Sequence, residues 1–144
     1  LGPVLDNAVK KFQLQVEQGK IDLNYQQIGD MEVAANAFHL ENVLVNLIDN
    51  GIKYSDQKPN INIEIDKDKS TVKVTDKGIG MDSKQLSKVF DNFYRAQSGN
   101  LHTTKGFGLG LSYCKLVIEK MGGEIFLQSS PKQGTTAIIQ LNKA

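Results

Sequence analysis

Three short runs of this 144-residue chain carry side chains that could do chemistry. The first, N-V-L-V-N-L-I-D-N-G-I-K at 42–53, sets Asn42, Asn46, Asn50 and Lys53 at helical spacing. The second is D-K-G-I-G at 76–80, and the third is G-F-G-L-G-L at 106–111. Amide oxygens can ligate Mg²⁺ or accept from its waters, and a lysine can reach phosphate oxygens. Mg²⁺ keeps several waters, so one or two amides together with phosphates suffice. An ionised carboxylate only accepts hydrogen bonds, so Asp76 suits a donor such as the exocyclic amine of adenine. Guanine presents an oxygen there, and Asp76 therefore favours ATP over GTP. Gly78 and Gly80 let the backbone turn with no side chain between it and the base. Gly106, Gly108 and Gly110 expose backbone N–H groups ahead of a helix N-terminus, which favours anions. In this order the three runs describe one nucleotide site.

Each run alone has a plainer explanation. D-x-G after a strand is an ordinary turn, and a polar helix stripe is ordinarily solvated surface. Asparagine, however, is a mediocre helix former, and three on one stripe cost about a few tenths of a kcal/mol each against good formers. A solvated face would carry Glu, Lys or Gln instead. The glycine run is not a Walker loop, because no G-K-[ST] follows. It is not a dinucleotide fingerprint either, since it breaks G-x-G-x-x-G and sits late in a chain that reads as lacking β-α-β order. The ordered set carries the reading.

Elements must hold these residues in place. Val4, Leu5, Ala8, Val9, Phe12 and Val16 recur at helical period, predicting one helix over 4–18 stopped by Gly19. Alternation at Ile21, Leu23 and Tyr25 predicts a strand over 20–26, paired through a turn at 29–30 with a short strand near 31–33. Asn36 caps a helix reaching about Tyr54. Its arc Leu40, Val43, Leu44, Leu47 and Ile48 faces a core, and the asparagine stripe lies opposite. Ile61, Ile63 and Ile65, then Val72 and Val74, predict an antiparallel hairpin turning at 66–69. A short helix over 83–90 follows, then a polar, mobile loop over 94–106. A helix from about 109 to 121 ends at Gly122-Gly123, and strands at 124–129 and 135–141 flank the turn S-P-K-Q-G. The expected class is α+β: a two-layer sandwich of one mixed, mostly antiparallel sheet with about three helices on one face.

Composition agrees with one domain. Hydrophobic residues make 40% and charged residues 23% of the chain, ordinary values for a globular protein. A net charge of +1 argues against nucleic-acid capture. The single cysteine, Cys114, excludes an internal disulfide and a multi-thiolate metal site, and its apolar helical setting predicts a buried small hydrophobe. No run approaches the ~18 apolar residues that span a bilayer, so no membrane contact is expected from these residues. The chain opens on Leu1-Gly2-Pro3, without an initiator methionine, and reads as a domain excised from a longer protein.

At this point 42–53, 76–80, 89–95 (V-F-D-N-F-Y-R) and 106–111 closely resemble the N, G1, F and G2 boxes of sensor histidine kinase catalytic domains. That family shares the Bergerat ATP-binding fold with gyrase, heat-shock chaperone and mismatch-repair ATPases, and the resemblance covers nearly the whole chain. It implies that Asn50 binds Mg²⁺, that Asn46 lies near the phosphates, that Lys53 contacts phosphate and that Tyr54 lies against the nucleotide. It implies Asp76 on the adenine amine, with Gly78, Gly80 and the Gly134-Thr135 turn near the base. Phe90 and Phe93 would anchor an ATP lid over 94–106. Arg95 would approach the terminal phosphates, and Lys105 would touch phosphate or stay solvated. Gly106, Phe107, Gly108, Leu109, Gly110 and Leu111 would form the phosphate-side loop. Asn36, where the family often has Asp, and Gly51, where alanine is commoner, depart from the pattern.

The ATPase relatives carry a glutamate four residues before the metal asparagine, as general base on water. Asn46 stands there, and a neutral amide cannot take that proton. Phosphoryl transfer needs mainly positioning and charge neutralisation. The implied activity is therefore transfer of the ATP γ-phosphoryl group to a histidine. Neither His39 nor His102 has the acceptor's sequence setting, so the acceptor is expected on upstream dimerisation helices, and the fragment should bind ATP yet autophosphorylate poorly. Implied partners are those helices and a response regulator, with a monomeric fragment, a homodimeric full-length protein, and a cytoplasmic domain of a protein anchored in the bacterial inner membrane. The competing readings are an ATPase of the same fold, a serine-phosphorylating relative, and a non-catalytic nucleotide-binding interaction module.

Overall fold

The computed structural model describes residues 1–28, 32, 36–90 and 110–142. Helices α1 (Gly2–Lys10) and α2 (Gln13–Glu17) lead into strand β1 (Asp22–Ile28) and the long helix α3 (Ala37–Lys53). Strands β2 (Asn60–Asp66) and β3 (Thr71–Asp76), short helix α4 (Ser83–Lys88), helix α5 (Gly110–Lys120) and strands β4 (Glu124–Ser129) and β5 (Thr135–Gln140) complete the order. The strands form one sheet in the order β1-β2-β3-β5-β4. Every pairing is antiparallel except β1 with β2. The expected α+β class with a mixed, mostly antiparallel sheet is what the chain adopts.

The apolar alternation decides which face of the sheet is covered. Ile61, Ile63 and Ile65 of β2, Val72 and Val74 of β3, and Ala137 and Ile139 of β5 are all buried. They meet Leu40, Val43, Leu44, Leu47 and Ile48 of α3 and Cys114, Val117 and Ile118 of α5 in one cluster. Helix α1 adds Leu5 and Ala8 to that cluster and packs against α3. The arc read from the sequence is thus the buried arc of α3. Asn36 caps that helix, its side chain accepting from the His39 N–H at 3.2 Å. The β2–β3 turn is held by Asp66 Oδ1, which accepts from the Asp68 and Lys69 N–H groups.

Two expectations need correction, and a third falls mostly outside the described residues. The single helix over 4–18 is two, broken where Phe12 takes φ −109 and ψ 5. Leu5, Ala8 and Phe12 are buried and no residue of α2 is, so nothing beyond Phe12 rewards continuing the helix, and Val16 is exposed. The short strand expected near 31–33, as partner to the strand over 20–26, lies outside the described residues apart from Glu32. Glu32 belongs to no element, and β1 pairs in parallel with β2, Asp22 opposite Asn60. Finally, β1, α3 and β2 form a β-α-β crossover, although one that precedes the glycine run. Alternation identifies a strand but says nothing of its neighbour. Among the described residues no helix is long and apolar enough to cross a membrane.

Candidate functional site

The polar stripe of α3 lies on its flank, where α5 begins. Asn42, Asn46, Asn50 and Lys53 are each half-buried. A methyl group placed on Gly110 would sit 3.6 Å from Asn46 Oδ1 and 3.9 Å from Asn50 Nδ2. The last glycine of the 106–111 run therefore opens its helix directly against both amides. Further along, Cys114 Sγ points at the Val43 carbonyl (3.9 Å), and Tyr113 Oη meets His39 Nδ1 (3.3 Å). Lys53 Nζ lies 2.7 Å from Asp49 Oδ2, an i,i+4 pair on the same helix. Asp49 is a residue that sequence reasoning passed over.

Asp76 ends β3 beneath the last turn of α3. A methyl on Gly51 would lie 3.1 Å from Asp76 Cβ and 3.6 Å from its Oδ2, so the missing side chain lets helix and carboxylate approach. Asp76 Oδ1 accepts from the Gly78 N–H (2.9 Å) and the Thr135 N–H (3.1 Å). Among the described residues its Oδ2 makes no hydrogen bond, leaving one acceptor oxygen for a ligand. Burial raises the Asp76 pKa above the ordinary carboxylate value, and the two N–H groups offset only part of that.

The loop after Asp76 is pinned on two sides. Ile79 N–H donates to the Tyr54 carbonyl at 3.0 Å, and a side chain on Gly78 would fall 2.6 Å from that same oxygen. On the other side the β4–β5 turn closes over it. Lys132 N–H donates to the Ile79 carbonyl (2.6 Å), and Gly80, at φ +69, leaves no room for a side chain beside the Ser130 carbonyl. Ser129 Oγ contacts Met81 N, Gly134 O and Thr135 Oγ1, each at 2.8 Å. Sequence reasoning missed Ser129. A serine ending a strand before S-P-K-Q-G gives no signal beyond turn composition.

The fold thus brings Asn46, Asn50, Tyr54, Asp76, Gly78, Gly80, Gly110 and Thr135 around the C-terminal half of α3. Leu111 and Phe90 are half-buried against the core, with Lys115 Nζ 5.0 Å above the Phe90 ring. Phe93, Arg95, Lys105, Gly106, Phe107, Gly108 and Leu109, and the expected lid over 94–106, lie outside the described residues. Among the described residues no three His, Cys, Asp or Glu side chains gather as a metal cage. The donors at hand are amides, which fits a Mg²⁺ that retains waters and shares phosphate oxygens. The stripe and Asp76 Oδ2, unbonded among the described residues, suit the two ends of a nucleotide.

A family model described as "Histidine kinase-, DNA gyrase B-, and HSP90-like ATPase" matches residues 35–144. Sensor protein RprX of Bacteroides fragilis is 37% identical over 144 residues, covering 96% of this chain and 28% of that protein. Sensor protein SrrB of Staphylococcus aureus is 31% identical over 145 residues, covering 99% of this chain and 25% of that protein. The solved catalytic domain of histidine kinase ThkA superposes with a TM-score of 0.81 at 26% identity, covering 99% of this chain and 94% of that one. The chain belongs to the histidine kinase-, DNA gyrase B- and HSP90-like ATPase family, and within it has the ATP-binding fold of a sensor histidine kinase catalytic domain. It spans about a quarter of the length of the curated relatives it matches.

Proposed function

We propose that this chain binds Mg–ATP and presents the γ-phosphoryl group to a histidine on a separate helical domain of the same protein, as the catalytic half of a protein-histidine kinase. The observation that carries the reading is the half-buried pair Asn46 and Asn50 facing the start of α5, with no carboxylate at position 46. Asn50 would hold Mg²⁺, and Asn46, Lys53 and Arg95 would neutralise and orient the phosphates. Asp76 Oδ2 would accept from the adenine amine, with Tyr54, Gly78, Gly80, Phe93, Thr135 and residues 105–111 enclosing the nucleotide. When bound, the cation supplies charge neutralisation across the phosphate oxygens. An amide at 46 cannot deprotonate water, so hydrolysis stays slow and the nucleophile must arrive on another surface. The Asp49 partner holds Lys53 extended along α3 until phosphate competes for it.

A response regulator would then take the phosphoryl group. The relatives' description as sensor proteins supports a two-component pathway. In this reading the full-length protein is a membrane-anchored dimer with this domain on the cytoplasmic side. The test is calorimetric titration with a non-hydrolysable ATP analogue, with and without Mg²⁺. Asn50→Ala should weaken binding about tenfold or more with Mg²⁺ present and little without it. Equal losses under both conditions would remove Asn50 as the metal ligand. In the full-length protein, ATP should label a histidine outside this domain faster than it releases phosphate. Rapid phosphate release without labelling would return the chain to the ATPases.

A further inference from the structure

Ser129 Oγ has three polar neighbours and a hydroxyl has one proton, so their roles can be assigned. The Met81 N–H can only donate, at 2.8 Å, and the Gly134 carbonyl can only accept, also at 2.8 Å. Ser129 therefore gives its proton to Gly134, and the remaining contact, with Thr135 Oγ1 at 2.8 Å, requires Thr135 to be the donor. With its proton so directed, the Thr135 hydroxyl has only lone pairs left. The adjoining Thr135 N–H is fixed on Asp76 Oδ1, while Asp76 Oδ2 is an acceptor by nature.

We propose that Ser129 is a positioning residue that sets base specificity, tying the β4–β5 turn to the loop after Asp76 and holding Thr135 as a second acceptor beside the carboxylate. The inference rests on the reading of Asp76 as the base-recognising group. An amine entering such a site meets two acceptors. A carbonyl oxygen meets lone pairs on both sides and leaves partly buried groups unpaired, the kind of mismatch by which hydrogen-bonding sites reject analogues. Ser129 touches no nucleotide itself. It acts through the Thr135 hydroxyl and through the backbone of residues 79–81 and 130–134, which also meet at the Lys132 N–H to Ile79 carbonyl bond.

The test is the ratio of affinities for a non-hydrolysable ATP analogue and its inosine counterpart, which carries a carbonyl where adenine carries the amine. In Ser129→Ala this ratio should fall about tenfold, by weaker adenine and stronger inosine binding. Ser129→Thr keeps the hydroxyl and should hold the ratio near that of the parent. An unchanged ratio in Ser129→Ala beside a collapsed ratio in Asp76→Asn overturns the role of Ser129 and leaves the base site standing. An unchanged ratio in Asp76→Asn overturns the base site, and Ser129 with it. Equal weakening of both nucleotides with a lowered melting temperature marks a merely structural serine and also overturns the proposal. Should Ser129→Ala not fold, Thr135→Val repeats the test with the Met81 and Gly134 bonds in place. Loss of the ratio is again expected, and its persistence counts against the proposal.

Discussion

Asp76 shows how a candidate ligand site can oppose the fold that carries it. Its carboxyl is half-buried beneath α3, and burial raises its pKa despite two backbone donors. The folded chain therefore holds this proton to a higher pH than the unfolded chain does. The stability Asp76 contributes is complete below the ordinary carboxylate value and declines as pH rises through the raised folded value. Asp76→Asn keeps an acceptor for the Gly78 and Thr135 N–H groups and removes the charge. We expect its ligand-free melting temperature at neutral pH to equal or exceed the parent's, the gap closing in acid, while affinity for the ATP analogue falls about 10- to 100-fold. Melting curves across pH decide it: a mutant clearly less stable at neutral pH would mean that the carboxylate strengthens the ligand-free fold. Asn46 and Asn50 stood out in the sequence because asparagines on one helix stripe sit oddly in a bland structural reading, and Asp76 because it stands in order with them and with the glycine run. Ser129 and Asp49 did not, because a serine before a turn and an aspartate on a helix are ordinary until their neighbours are known.

Among the elements, the β4–β5 turn does more than connect two strands. It lies over residues 77–81, and Gly80 is the point of closest approach. A side chain at φ +69 costs about 1–2 kcal/mol for an ordinary residue, and here it would also meet the Ser130 carbonyl. Gly80→Ala should therefore lower stability in denaturant unfolding by about 2–4 kcal/mol. Gly110→Ala should cost little, because the nearest atom among the described residues would be 3.6 Å away in ordinary contact. Similar losses at the two positions would mean that the turn yields easily. The hairpin over 60–76, helix α3 and the final strands were all legible from apolar period and caps. The break before α2 and the parallel partner of β1 were not. Both depend on which surface is available for burial, and a local pattern does not contain that.

For the whole molecule, the packing of α3 against α5 is the joint on which the stripe and Gly110 meet. Cys114 sits in that joint, fully buried, its thiol pushed up to about 12 by burial. A thiol so placed is inert until the helices part. Alkylation of Cys114 at neutral pH should thus follow opening of the α3–α5 contact, and the ATP analogue should slow it in proportion to site occupancy. Modification at the rate of a free thiol, unaffected by nucleotide, would show the joint to be open in solution.

The sequence by itself determined the class of fold and the chemistry of the three runs, because apolar period fixes which faces are buried and residue type fixes what a side chain can donate or accept. Only the tertiary structure decided that Gly110 opens onto Asn46 and Asn50, that one oxygen of Asp76 is held by two N–H groups while the other has no hydrogen bond among the described residues, and that Ser129 joins the turn to the loop. Those contacts link residues up to 64 positions apart (46 to 110). They follow from how sheet and helices pack, which no local window of the chain encodes.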